Sequence, residues 1–186
     1  MSQSLKGRIL LAAPHLTDPN FQRAVVLLCE HSEEGALGVV LNRPGSIGLG
    51  EAFPDLDAVS PPGNTLREGG PVQPSSVFIL HDDGEVGGEE VLSGLWFAAD
   101  LESLQRLSGA LQDRPDDFRF RMYAGYAGWG AKQLDQELER GDWIVCPGRA
   151  DWAFAAGAQE TWSRILCELG GRFALIARAP LNPDLN

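Results

Sequence analysis

The chain has 186 residues, 44% hydrophobic and 22% charged, proportions that point to neither disorder nor a disulfide scaffold and suffice for one well-buried core. A single domain over residues 1–186 is expected. Acidic side chains number 26 against 15 basic ones, for a formal net charge of −11, a field that opposes direct DNA binding, since nucleic-acid affinity rests on clustered Lys and Arg neutralising phosphates.

The first apolar run, residues 8–13, reads as a strand stopped by Pro14. It is too short for a signal-peptide core or a membrane span, so a cytoplasmic protein with no membrane partner is expected. Residues 25–29 and 38–41 read as two further strands, with the polar turn Ser32-Glu33-Glu34-Gly35 between them. So short a link joins antiparallel neighbours and not parallel ones, which predicts a hairpin over residues 24–42.

Residues 43–75 hold Pro61-Pro62-Gly63 and Gly69-Gly70-Pro71 and predict an irregular excursion with at most one short helix near residues 51–56. A buried strand follows at 77–80, ended by the turn chemistry of Asp82-Asp83-Gly84. Asp100 is placed to cap a helix with Leu101, Leu104, Leu107 and Leu111 on one face. Phe118, Phe120 and Met122 then alternate with Arg119 and Arg121, the period of a half-exposed strand. The glycine-rich stretch 125–130 leads to a predicted helix over 131–140, closed by Gly141. Residues 143–146 read as a strand. Trp162, Ile165, Leu166 and Leu169 mark a last helix closed by Gly170-Gly171. Strands linked by hairpins and interrupted irregularly by helices predict an α+β fold with a mainly antiparallel sheet.

Several segments bear on chemistry. Cys29, Cys146 and Cys167 are an odd set without a Cys-x-x-Cys pair, which fits reduced thiols. Cys29 and His31 are two apart on a strand and share a face, so an imidazole beside a thiol would make a nucleophile. A thiol or acid–base enzyme using Cys29, His31 and His81 is therefore one reading. The other has Cys29 continuing the apolar face of Val25 and Leu27 as an inert small hydrophobe. Cys29, His31, His15 and His81 lack metal-ligand spacing, so no metal or cofactor is expected. No Gly-x-Ser-x-Gly elbow occurs. Gly125 to Lys132 superficially resembles a phosphate loop, but Ala131 intervenes before Lys132, and Gln133 stands where a magnesium-binding hydroxyl is needed.

Asn42-Arg43-Pro44 leaves the third strand just where Gly69-Gly70-Pro71 can approach. Asn42, Arg43, Gly69 and Gly70 are expected to border a cleft for a small anion or a protein partner's acidic group, with Arg43 the bidentate donor. A salt bridge from Arg43 to an acid such as Glu68 is the structural alternative. Trp143 and Trp162 fit core stripes, while Trp96 and Trp129 are candidates to line a cleft.

Taken in order, Asp18-Pro19-Asn20-Phe21, Arg23-Ala24-Val25-Val26, Cys29-Glu30-His31, the run from Gly35 through Val39-Val40-Leu41-Asn42-Arg43-Pro44, Gly69-Gly70-Pro71-Val72, the strand ending at His81, and Gly125-Tyr126-Ala127-Gly128-Trp129 leading to Gln133-Leu134 and Trp143 resemble the AlgH (YqgE-like) family of bacterial proteins. Lys132 departs from that pattern, which has glycine before Gln133-Leu134, and residues 174–186 lack its Gly-His-Ala ending. The resemblance implies a compact α+β fold whose split sheet curls into a partial barrel, a cytoplasmic location and a regulatory role associated with transcription. It supplies no catalytic residues. A noncatalytic small-molecule- or protein-binding module is the leading expectation from it.

Overall fold

The computed structural model describes residues 4–56, 64–115, 117–155, 157 and 160–178. The Pro61-Pro62-Gly63 turn and the last eight residues of the tail lie outside them. Ten strands are described: β1 Arg8–Ala12, β2 Val25–Ser32, β3 Gly35–Val40, β4 Ile47–Gly48, β5 Thr65–Glu68, β6 Val72–His81, β7 Glu89–Leu92, β8 Leu95–Ala98, β9 Phe120–Gly130 and β10 Trp143–Pro147. Six helices accompany them: α1 Leu49–Ala52, α2 Leu101–Asp113, α3 Gln133–Arg140, α4 Ala150–Ala153, α5 Thr161–Leu169 and α6 Gly171–Ile176.

The sheet runs in the order β10-β1-β2-β3-β9-β6-β8-β7, with β5 added to β9 and β4 to β5. Every pairing is antiparallel except β5 with β9, so the expected mainly antiparallel α+β fold is the one observed. The sheet curls into a half-barrel until its two ends meet. A side chain at Gly7, just before β1, would strike the Val91 carbonyl of β7, and one at Gly148, just after β10, would come within 2.9 Å of Leu92. Lys6 and Glu89 form an ion pair across the same join.

Strands buried on both faces explain the run of apolar residues in β1 and β2. Ile9, Leu11, Val25, Leu27 and Cys29 face the interior of the curl with Tyr123, Trp152, Trp162 and Ile165. Their neighbours Leu10, Ala12, Val26 and Leu28 face outward under Leu134, Trp129 and Trp143. A third cluster puts Ile79, Phe120 and Met122 beneath Leu107 and Leu111 of α2. Asp100 caps that helix, accepting from the Ser103 N–H at 2.7 Å, and these bonds hold its carboxyl below the usual carboxylate range. Leu101, expected on the buried face, is 69% exposed: it opens the first turn, before the helix lies down on the sheet.

Other expectations are also corrected. The stretch 125–130 is strand, not loop: β9 continues through it and pairs with β3 from Gly130 back to Ala127. The helix accordingly starts at Gln133 rather than at residue 131. Residues 43–75 are less irregular than their composition predicts, holding β4, α1, a 3-10 turn at Pro54–Leu56, β5 and the start of β6. The hairpin over 24–42 is observed, with Cys29 at a bulge where the β2–β3 register shifts between Leu28 and Glu30.

Candidate functional site

Where β3 ends, the chain must leave the sheet without stranding buried backbone groups. Asn42 solves this with its side chain. It is buried, its Oδ1 accepts from the Val25 N–H at 2.8 Å and its Nδ2 donates to the Arg23 carbonyl at 2.9 Å. Its amide therefore fixes the start of β2 and is spent on backbone. The next residue, Arg43, donates from Nη2 to the Gln22 carbonyl at 2.6 Å.

The Gly69-Gly70 pair is wedged between strands. Gly69 donates its N–H to Ala124 of β9 and accepts the N–H of Val40 of β3, both at 2.8 Å. Gly70 has φ +151° and Gly125, facing it, has φ +70°; a Cβ on either would collide with the other's segment. Glycine is needed at this crossing because two backbones touch where side chains would stand.

Beyond it opens a cleft of about 350 Å³, walled by Asn20, Arg43, Glu68, Gly70, Pro71 and Pro74 among others. Of the four predicted residues, Arg43 and Gly70 line it, while Asn42 and Gly69 stand behind and hold the strands that shape it. Arg43 and Glu68 share the cleft without an ion pair: among the described residues no carboxylate lies within 4.0 Å of the Arg43 guanidinium. Burial pulls the guanidinium below its ordinary pKa, and the Glu68 charge opposes that shift. Sequence reasoning did not place Asn20 on this wall. The available signal was the turn before it, where Asp18 Oδ1 accepts the Asn20 N–H at 2.8 Å.

Cys29, His31 and His81 do not assemble. Cys29 is fully buried in the interior cluster; burial in apolar surroundings pushes its thiol far up, with Glu30 adding to the shift. His31 lies at the turn, where its Nδ1 accepts the Leu5 N–H at 3.1 Å. His81, at the end of β6, is buried and stacked on Trp96 with ring centroids 6.3 Å apart, and burial lowers its pKa. No hydrogen bond joins any two of the three. Among the described residues no group of His, Cys, Asp and Glu is arranged to hold a metal ion, and His15 instead contacts Asp142 at 3.3 Å.

A larger, open hollow of about 700 Å³ lies beside the β2–β3 turn, bordered by Lys6, Glu30, His31, Glu34, Glu89 and Tyr126 among others. Its lysine is already paired with Glu89, so its remaining formal charge is negative and it repels anions. Trp129 also borders this hollow, but with its indole N–H already committed. Trp129 and Trp143 both donate their indole N–H to Glu137 Oε2 at 2.8 Å, which binds α3 to the sheet.

A family model described as AlgH-like matches residues 9–174. A UPF0301 protein of Chlorobaculum tepidum is 38% identical over 182 residues, covering 97% of this chain and 95% of the relative. A UPF0301 protein of Streptomyces coelicolor is also 38% identical, over 191 residues and 98% and 96% of the two chains. The solution structure of the AlgH protein from Pseudomonas aeruginosa superposes with a TM-score of 0.72 at 32% identity, over 97% of this chain and 98% of that one. A crystal structure of a Corynebacterium diphtheriae protein shares the fold with a TM-score of 0.79 at 24% identity, over 96% and 94%. No helix among the described residues is long and apolar enough to cross a membrane.

Proposed function

The chain belongs to the AlgH-like family, and from its geometry we propose that it is a noncatalytic binding module of the bacterial cytoplasm that receives an acidic group, on a small molecule or a protein partner, at Arg43. One observation carries this: a half-buried guanidinium, held by the Gln22 carbonyl on a rigid strand crossing, lines a cleft and has no carboxylate in contact. A charged group that has given up water gains most from a partner that restores its hydrogen bonds. The separation of Cys29, His31 and His81 speaks against the thiol or acid–base alternative, since catalysis needs donor and acceptor within about 3.2 Å. A regulatory role in transcription would then run through the bound partner and not through DNA, which a net charge of −11 repels.

Thermal unfolding of the parent and of Arg43→Ala, with and without an oligo-glutamate peptide at fixed ionic strength, tests this. The parent is expected to gain about 2.7 kcal/mol of stability when the peptide is at a hundredfold its Kd. The variant is expected to lose that response. Its own melting temperature should fall by only about 2–4 °C, the cost of one hydrogen bond of about 1 kcal/mol to Gln22. A parent that does not respond, or a variant that responds equally, contradicts the proposal.

A further inference from the structure

The interior of the curl holds a second polar cluster. β5 runs parallel to β9 with Arg67 opposite Tyr123, and paired residues share a face, as do Arg121 and Tyr123 two apart on β9. Tyr123 belongs to the interior cluster and is fully buried, so the two arginines rise from the concave side. The arginine alternation read from the sequence is therefore real, but the face it marks is the inner one. Arg119, on the same side, is committed elsewhere, to Asp82 at 2.7 Å and Asp151 at 3.2 Å.

Arg67 and Arg121 have no such partners. Arg67 donates to the Leu41 carbonyl at 3.3 Å, and Arg121 donates to the Phe120 carbonyl at 3.1 Å and to Asn64 Oδ1 at 3.5 Å. No carboxylate among the described residues forms an ion pair with either. The Arg121 Nε and the Tyr123 hydroxyl are buried and have no hydrogen-bond partner among the described residues. Burial and the neighbouring Arg67 charge both lower the Arg121 pKa. Burial raises that of Tyr123, which keeps its phenol protonated and able to donate. Two like charges, an idle N–H and an idle O–H on one face of adjacent strands are each unfavourable alone. A single multidentate anion would relieve all of them together.

We propose that Arg67, Arg121 and Tyr123 form an oxyanion site for the phosphate or carboxylate head of a small molecule, with the paired guanidiniums supplying charge and the tyrosine hydroxyl a further hydrogen bond. Arg121 and Asn64 open onto a hollow of about 250 Å³ whose other walls include Phe118, Phe120 and Phe154, apolar surface suited to the body of such a molecule. This site is separate from the Arg43 cleft and does not depend on it.

The test measures calorimetric binding and thermal unfolding in the Arg43→Ala background, with inorganic phosphate, phenyl phosphate and benzoate compared against chloride at equal ionic strength. At least one probe should bind saturably, the tightest one identifying the head group and showing whether an apolar body is wanted. Tyr123→Phe keeps the ring and removes only the hydroxyl; it should melt no lower than its parent yet bind at least about tenfold more weakly. Arg121→Met should abolish binding. No saturable response to any probe, or a full response in Tyr123→Phe, overturns the proposal. Loss of every response through Arg43→Ala alone would also overturn it, while leaving the Arg43 cleft supported.

Discussion

A guanidinium or thiol removed from water keeps its chemistry only where the surroundings accept its charged form. Arg43 is held in that state by a carbonyl and by the field of Glu68. Cys29 is not: its Sγ donates to the Leu27 carbonyl at 3.7 Å, and desolvation keeps the thiol protonated. Cys146 is likewise buried and pushed up to about 11, while Cys167 is exposed. Mass spectrometry after alkylation of the native protein between pH 7 and 9 should therefore find Cys167 modified, with Cys29 and Cys146 labelled only after unfolding. Labelling of Cys29 as fast as Cys167 would revive the enzyme reading. The in-phase position of Cys29 behind Val25 and Leu27 was legible in the sequence. The bulge at Cys29 and the exposed setting of Glu30 were not, because a bulge is set by the partner strand as much as by its own residues.

At the level of elements, α3 is seated by Leu134 in the outer cluster and pinned there by one carboxylate. Glu137 accepts both the Trp129 and Trp143 indole N–H groups, and Phe21 packs edge-on to Trp143 with centroids 5.6 Å apart. Truncating Glu137→Ala leaves two largely buried donors without an acceptor, each worth about 1–3 kcal/mol. Urea denaturation is expected to show a loss of about 2–6 kcal/mol; a loss under about 0.5 kcal/mol, the level of an ordinary surface change, would contradict this account of the helix. The α3 helix, the β2–β3 hairpin and α2 were legible because their periodicity is local. β9 was broken by its glycines in the sequence reading, since Gly125 and Gly128 suggest a loop until Gly70 and the Tyr126 ring are seen packed where side chains would be. The parallel β5–β9 contact brings Arg67 to Tyr123, 56 positions further along the chain, and no local pattern announces such a pairing.

The whole molecule is an acidic body with cationic groups recessed in it. Its net charge of −11 disfavours polyanions at long range, whereas a cleft selects ligands by contact geometry over a few ångströms, well inside the roughly 8 Å screening length of physiological salt. The curl of the sheet creates these recesses, bringing the 18–22 turn, the end of β3 and the Gly69-Gly70 crossing together at Arg43. The proposed role rests on binding at this cleft and not on chemistry at Cys29. The most direct test is a residue-resolved titration of the backbone amide spectrum of the native protein with an oligo-glutamate peptide. Saturable shifts are expected at Gln22, Arg43, Glu68 and Gly70, with the amides of Cys29, His31 and His81 unmoved; shifts clustered at Cys29 and His31, or no saturable shift at the cleft, would contradict it.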